Sequence, residues 1–467
     1  MQRSPFVPVF LLPTATLLVA ATVLLTASPA HAQLSAAQLV APAVKDFGPQ
    51  YQDVEKAVES FRRGKADEAR RLLETARKKN PHLAPADVML AQLMFSAGQL
   101  PATRALLEKT AVDLPEDPET FIIIGDLALR EGRLTEATTM FAKGLALCQA
   151  YDANPLRKAS MMSNAYAGLA TIAEARKDWA EASKQLQAWI AADEKNARAH
   201  LRLGQALFRQ KKYDDATASF TKAHELDAKV ARAEVNMALM LEQADEHDAA
   251  AKWMASAAKL GENELETRLA AARWALDTGD LAMAKTNVAA ALKIEPNSLP
   301  ANLLQGLVAR HEGDDAAAIK AFEAALALSP NNVGAINQLA QLLIESDVHK
   351  EQIRALGYAH LNAQINGDAN SQAGREAAVT LTWVLHKLGH DDPAVRRLQA
   401  ILEAGSVSAE SAFHAARIYA DLGQKQAAAV LLQRALAQNN SFPGRGDAEA
   451  LLTQLKEEAA ATASNGK

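Results

Sequence analysis

His200-Leu201-Arg202-Leu203-Gly204-Gln205-Ala206-Leu207-Phe208-Arg209-Gln210-Lys211-Lys212-Tyr213-Asp214-Asp215-Ala216-Thr217-Ala218-Ser219-Phe220 is the stretch that decides the fold. A small residue, Gly204, is followed twelve positions later by Ala216 and four positions after that by the bulky Phe220. The same triplet returns at a fixed interval. Ala182, Ala216, Ala250, Ala284 and Ala318 stand 34 residues apart, Ala69, Thr103 and Ala137 form the series upstream, and Ala394 and Ala428 form it downstream. The leading small residues are Ala57, Ala91, Gly125, Ala170, Gly204, Ala238, Ala272, Gly306, Thr382 and Ala416. The trailing apolar ones are Leu73, Leu107, Phe141, Leu186, Phe220, Met254, Val288, Phe322, Leu398 and Leu432. Two helices that pack closely need small side chains where their backbones cross, and a larger neighbour to fill the space beside the crossing. A period of this length predicts helix–turn–helix units stacked into a solenoid, each sheltering its neighbour's apolar face.

The turns agree. Five residues before each repeating position lies Gly64, Gly98, Gly132, Gly279, Gly313, Gly389 or Gly423, and in the other units Lys177, Lys211 or Asp245. Glycine ends a helix well because it takes the left-handed conformation without steric penalty. Pro81, Pro115, Pro296 and Pro330 stop second helices. The acidic pairs Asp214-Asp215, Asp314-Asp315 and Asp391-Asp392 occupy one slot of the repeat, where carboxylates cap exposed helix amides.

This pattern resembles the tetratricopeptide repeat (TPR). The best unit is the quoted one, carried by Gly204, Leu207, Tyr213, Ala216 and Phe220; another reads Leu303-Leu304-Gln305-Gly306, then Gly313, Ala318, Phe322, Ala325 and Pro330. The resemblance spans about residues 50 to 440 and implies an all-α fold: a right-handed α-solenoid superhelix of about eleven units with a C-terminal capping helix. The expected organisation is a signal peptide at 1–32, a lead-in at 33–49 (a helix or a disordered arm), units 1–3 at 50–147, and an insertion at 148–162. Units 4–8 follow at 163–332, then an irregular unit at 333–374, units 10–11 at 375–442, a capping helix at 443–460 and a disordered tail at 461–467. The C-terminal third is also similar to repeat proteins of bacterial exopolysaccharide and surface-protein export systems. That similarity rests on Asn337–Leu343, Thr380–Leu385 and Ser441–Arg445, with Thr382 where that family carries glycine before the tryptophan.

The first 32 residues carry a single charge, Arg3, and an apolar run from Val7 that ends in Ala30-His31-Ala32. This reads as a secretory signal peptide cleaved between Ala32 and Gln33, which places the protein in the periplasm or outside the cell with no membrane span left after cleavage. The competing reading is a retained anchor. Cys148 is the single cysteine, so no intrachain disulfide forms, and the residue reads as a small apolar filler of a helix. A net charge of −5 gives no sign of nucleic-acid binding.

No glycine-rich phosphate loop, G-x-S-x-G elbow or H-E-x-x-H occurs, and the reading is of a non-enzyme without cofactor or metal. His386 and His390 are four apart, but Gly389 between them puts His390 in a turn. The resemblance implies that the inner face comes from the first helix of each unit. Threading it gives Asp126, Arg130, Arg198, Leu201, Gln205, Phe208, Arg209, Arg232, Leu239, Arg273, Arg310, Asn337, Gln341 and Trp383 as inward groups. Several arginines on one face suit an acidic or carboxylate-ended peptide. The alternative is that they pair with neighbouring acids such as Glu234, Glu242 and Glu266. The expected function is a scaffold that holds a protein or peptide partner, with self-association possible; the alternative is an accessory factor of an export system.

Overall fold

The computed structural model describes residues 34–437 and 441–465, with 391–397 and 461–465 by backbone alone. The expected signal peptide and the side-chain packing of Ala394 lie outside the described residues. The described secondary structure is helical, with no strand among those residues.

The chain forms two compact units that divide after Glu194. In unit 1, a short helix α1 (Ala36–Val40) precedes four pairs: α2 (Gln52–Arg62) with α3 (Ala66–Lys79), α4 (Ala86–Ser96) with α5 (Leu100–Asp113), α6 (Pro118–Arg130) with α7 (Leu134–Ala150), and α8 (Pro155–Ala175) with α9 (Trp179–Ala192). Unit 2 holds seven pairs. They are α10 (Ala197–Arg209) with α11 (Tyr213–Leu226), α12 (Ala233–Glu242) with α13 (His247–Leu260), α14 (Leu265–Thr278) with α15 (Leu281–Ile294), and α16 (Leu299–His311) with α17 (Asp315–Leu328). Then come α18 (Val333–Leu343) with α19 (His349–Ile365), α20 (Gln372–Lys387) with α21 (Asp391–Ala404), and α22 (Ala409–Asp421) with α23 (Lys425–Leu436), followed by α24 (Arg445–Asn465). Within each unit the partners of a pair pack together, and each pair packs on the next, as a helical-repeat solenoid.

The turn inside ten of the eleven pairs takes a left-handed residue, and the turn between α18 and α19 takes none. Positive φ occurs at Gly64, Gly98, Gly132, Gly279, Gly313, Gly389 and Gly423, and at Lys177, Lys211 and Asp245, where φ is 58°, 61° and 59°. These are the ten turn positions read from the repeat. Side chains then cap the second helices: Asp178, Asp280 and Asp314 accept from the backbone N–H of Glu181, Met283 and Ala317.

The crossing positions show volume compensation. Ala57, Ala91, Ala170, Ala238, Ala272 and Ala416 are fully buried in units whose trailing residue is Leu, Met or Val. Glycine stands at the crossing in the three units whose trailing residue is phenylalanine. A Cβ on Gly125, Gly204 or Gly306 would sit 2.8, 2.5 or 2.5 Å from Phe141, Phe220 or Phe322. Gly168 of the next unit also yields to Phe141, at 2.4 Å. The aromatic ring fills the volume that the missing methyl vacates, which keeps interior density constant along the stack. The fully buried Ala137, Ala182, Ala216, Ala250, Ala284, Ala318 and Ala428 sit on the second helices opposite.

The extra residues near 148–162 lengthen the end of α7 and the start of α8 around a turn at residues 151–154. Arg157 locks this junction. Its guanidinium is buried and donates to Glu119 Oε2 and Asp117 Oδ1, both at 2.7 Å, and to the Tyr151 hydroxyl at 2.9 Å. Burial alone would lower its pKa, but the two carboxylates raise it on balance. Cys148 is buried close by, and burial pushes its thiol up to about 11. The final helix runs to Asn465, past the expected end at 460.

Candidate binding surfaces

The first helices of unit 2 carry most of the residues that threading turns inward, and the structure divides them. Arg198 and Arg209 are exposed, and Arg209 donates to Gln243 Oε1 at 2.9 Å. Leu201 and Gln205, between them on α10, are half-buried, as is Leu239 on α12. Arg232 is half-buried and donates to Glu264 at 2.7 Å and Glu234 at 3.3 Å. Arg273 is exposed and pairs with Asp277 at 3.0 Å.

Three of the residues read as inward are core residues, and this corrects the threading. Phe208 is 4% exposed and packs on the Tyr213 ring, Gln341 is 3% exposed and donates to the Thr380 hydroxyl at 3.2 Å, and Trp383 is fully buried. Asn337 is half-buried and accepts from Asn362 at 2.9 Å.

Arg310 has a partner that the sequence did not suggest. Its guanidinium donates to Glu410 Oε1 at 2.5 Å, to Gln341 Oε1 at 3.1 Å and to Gln338. Glu410 begins α22, one hundred residues further on. Burial pushes the Glu410 pKa up, but Arg310, His414 and the hydrogen bonds from Arg310 and Gln338 outweigh it, and the net shift is downward. Further contacts extend the closure. Glu345 pairs with Lys387 at 3.0 Å and Arg417 at 3.2 Å, and the Arg417 guanidinium lies 4.3 Å from the Trp383 ring centroid. His414 stacks on Trp383 at 5.5 Å, and burial pulls its pKa down to about 4. From α16 to α22, then, Arg310, Lys387 and Arg417 of the first helices are paired with Glu410 and Glu345 of the same chain.

In unit 1 the first-helix face is partly covered. Arg130 is exposed, with its guanidinium 4.3 Å from the Phe95 ring centroid, a cation–π arrangement. Half-buried Asp126 lies one turn before it, and desolvation pushes its carboxyl up to about 7 against the pull of Arg130. Nearer the N-terminus the face is occupied by residues 34–44 of the chain itself.

Among the described residues no group of three or more His, Cys, Asp or Glu is placed to hold a metal ion, and no helix is long and apolar enough to cross a membrane. His386 Nε2 lies 3.0 Å from Asp421 Oδ2.

Family models described as tetratricopeptide repeat match residues 60–121, 197–229 and 269–333. No curated protein matches the chain. Similar solved structures include YrrB, described as a TPR protein with an unusual peptide-binding site (17% identity, 49% of this chain and 95% of that one, TM-score 0.26). A tetratricopeptide repeat protein from Parabacteroides merdae ATCC 43184 is 15% identical over 63% of this chain and 99% of that one, with TM-score 0.35. Yeast Tom70 is 14% identical over 88% and 96%, with TM-score 0.36.

Proposed function

We propose that this chain, a tetratricopeptide repeat protein, is a protein-interaction scaffold whose partner lies along the first helices of unit 2, across α10, α12 and α14. The contrast along that face carries the reading. At one end Arg198, Arg209 and Gln243 are exposed, with Leu201 and Gln205 half-buried on α10 and Leu239 on α12; at the other, Arg310 and Arg417 pair with the chain's own Glu410 and Glu345. Guanidiniums spaced by apolar side chains favour an extended segment that ends in or carries carboxylates, held by forked hydrogen bonds. Arg232 and Arg273 already hold acids, so such a partner makes its first contacts at Arg198 and Arg209.

A photo-crosslinking residue at position 205 in the native cell tests this. It should capture a partner that the same residue at position 225, at the end of a second helix, does not. Equal capture at both, or capture at 225 alone, contradicts the placement. Export rests on the apolar run and small-residue exit in residues 1–32. Mass spectrometry of the mature protein should then find Gln33 as the first residue, and retention of Met1 contradicts it.

A further inference from the structure

Residues 34–44 lie on the first helices of unit 1. The segment α1 contacts α2 and α4, and the 3₁₀ turn after it, Ala41–Ala43, contacts α8. Ala36, Leu39, Val40 and Ala43 are 7, 5, 1 and 7% exposed, a stripe at helical spacing. They belong to one buried cluster with Tyr51 just before α2, Val58 and Phe61 of α2, and Met89 of α4. Polar contacts hold both ends: Asn154 donates to the Ala43 carbonyl at 2.7 Å, and Arg62 reaches the Leu34 carbonyl at 3.5 Å. Ser35 and Gln38 close a capping box at the start. Between this segment and α2, Lys45, Asp46 and Phe47 are exposed.

Five α-helical residues have no stability of their own in water. The segment is therefore helical because of the surface beneath it, and the linker that follows is exposed, with Phe47 stacked on Tyr51 at 5.7 Å just before α2. A shallow open depression lies beside it, bounded by Gln38, Pro42 and Val44 of the segment and by Leu156 and Ser160 of α8.

We infer that the first-helix face of unit 1 is a docking site for a short amphipathic helix, held in cis by residues 34–44, and that a partner segment with the same small–large–large–small apolar stripe displaces them. This does not depend on the surface proposed for unit 2.

The test uses the full chain and a fluorescein-labelled peptide of residues 34–48. The Leu39→Asp, Val40→Asp double variant frees the seat. When the cis segment fills the site nine-tenths of the time, the apparent affinity for added peptide falls about tenfold, so the variant should bind peptide at least about tenfold more tightly than the parent. A peptide carrying the same two aspartates should bind neither. Hydrogen exchange on the variant should show residues 36–43 unprotected and α2 to α9 still protected; if the helices too lose protection, the milder Leu39→Ala, Val40→Ala chain replaces it and should bind peptide more tightly than the parent. Equal affinity of parent and freed chain, or no binding to a freed chain whose α2 to α9 remain protected, overturns the inference. So does a parent that is a dimer exchanging this segment between copies.

Discussion

Gly204→Ala isolates the crossing geometry. The new Cβ would sit 2.5 Å from Phe220 Cδ1 and Cε1, about 0.9 Å inside ordinary contact, and the Phe220 ring is fully buried and has no exit. Overpacking of this kind costs about 1–3 kcal/mol. Alanine in place of glycine inside a helix returns about 1 kcal/mol. The net expectation is a loss of about 1 kcal/mol. Gly357, inside α19, has nothing within 4 Å of an added Cβ, so Gly357→Ala keeps only the helix term and should gain about 0.5–1 kcal/mol. The combined Gly204→Ala, Phe220→Leu chain recreates the alanine–leucine pairing of the units with Ala57 and Leu73 or Ala91 and Leu107, and should recover most of the loss with a coupling of about 1–2 kcal/mol. Repeat arrays need not unfold in one step, so the readout is native-state hydrogen exchange of α10 and α11 amides together with denaturant melts. A Gly204→Ala chain stabilised as much as Gly357→Ala, or a double variant whose losses simply add, refutes the reasoning.

Lys211 pays a left-handed backbone penalty that glycine avoids, so Lys211→Gly, and likewise Lys177→Gly and Asp245→Gly, should each raise stability by about 0.5–1 kcal/mol in urea melts. Glu410→Ala leaves the Arg310 guanidinium with Gln338 and Gln341 but no carboxylate and should cost about 3 kcal/mol, whereas removing both charges with Arg310→Met and Glu410→Leu should cost distinctly less by thermal melting. His414 has its pKa depressed to about 4 from 6.5 by burial, with Glu410 and Glu345 opposing and Arg310 and Arg417 assisting. A depressed folded pKa contributes stability that is complete above pH 6.5 and is lost as pH falls toward 4, so His414→Gln should flatten the decline over that window in melts at stepped pH.

Local chemistry was legible in the sequence wherever the repeat dictates it. The small residues, their bulky neighbours and all ten left-handed turns follow from one helix crossing the next, and that geometry depends on residues within one unit. The reciprocity of glycine and phenylalanine was present in the same letters, at Gly125 with Phe141 and Gly306 with Phe322, and needed only the two series to be compared. The faces were less legible, because a period places a residue on a helix but does not say how tightly successive helices curl. Arg310 meets Glu410 across one hundred residues only because the first helices from α16 to α22 come together, and the same closure buries Gln341 and Trp383. The lead-in was read only as a helix or a disordered arm; its helix starts at a Ser35–Gln38 capping box, and nothing in its composition named α2, α4 and α8 as its seat.

On the proposed function, partners meet the first helices of the pairs and leave the second helices as support. Hydrogen exchange of the whole chain with and without its crosslink-identified partner measures this most directly. New protection is expected in α10, α12 and α14, with α11, α13 and α15 unchanged; protection confined to α11, α13 and α15 overturns this placement.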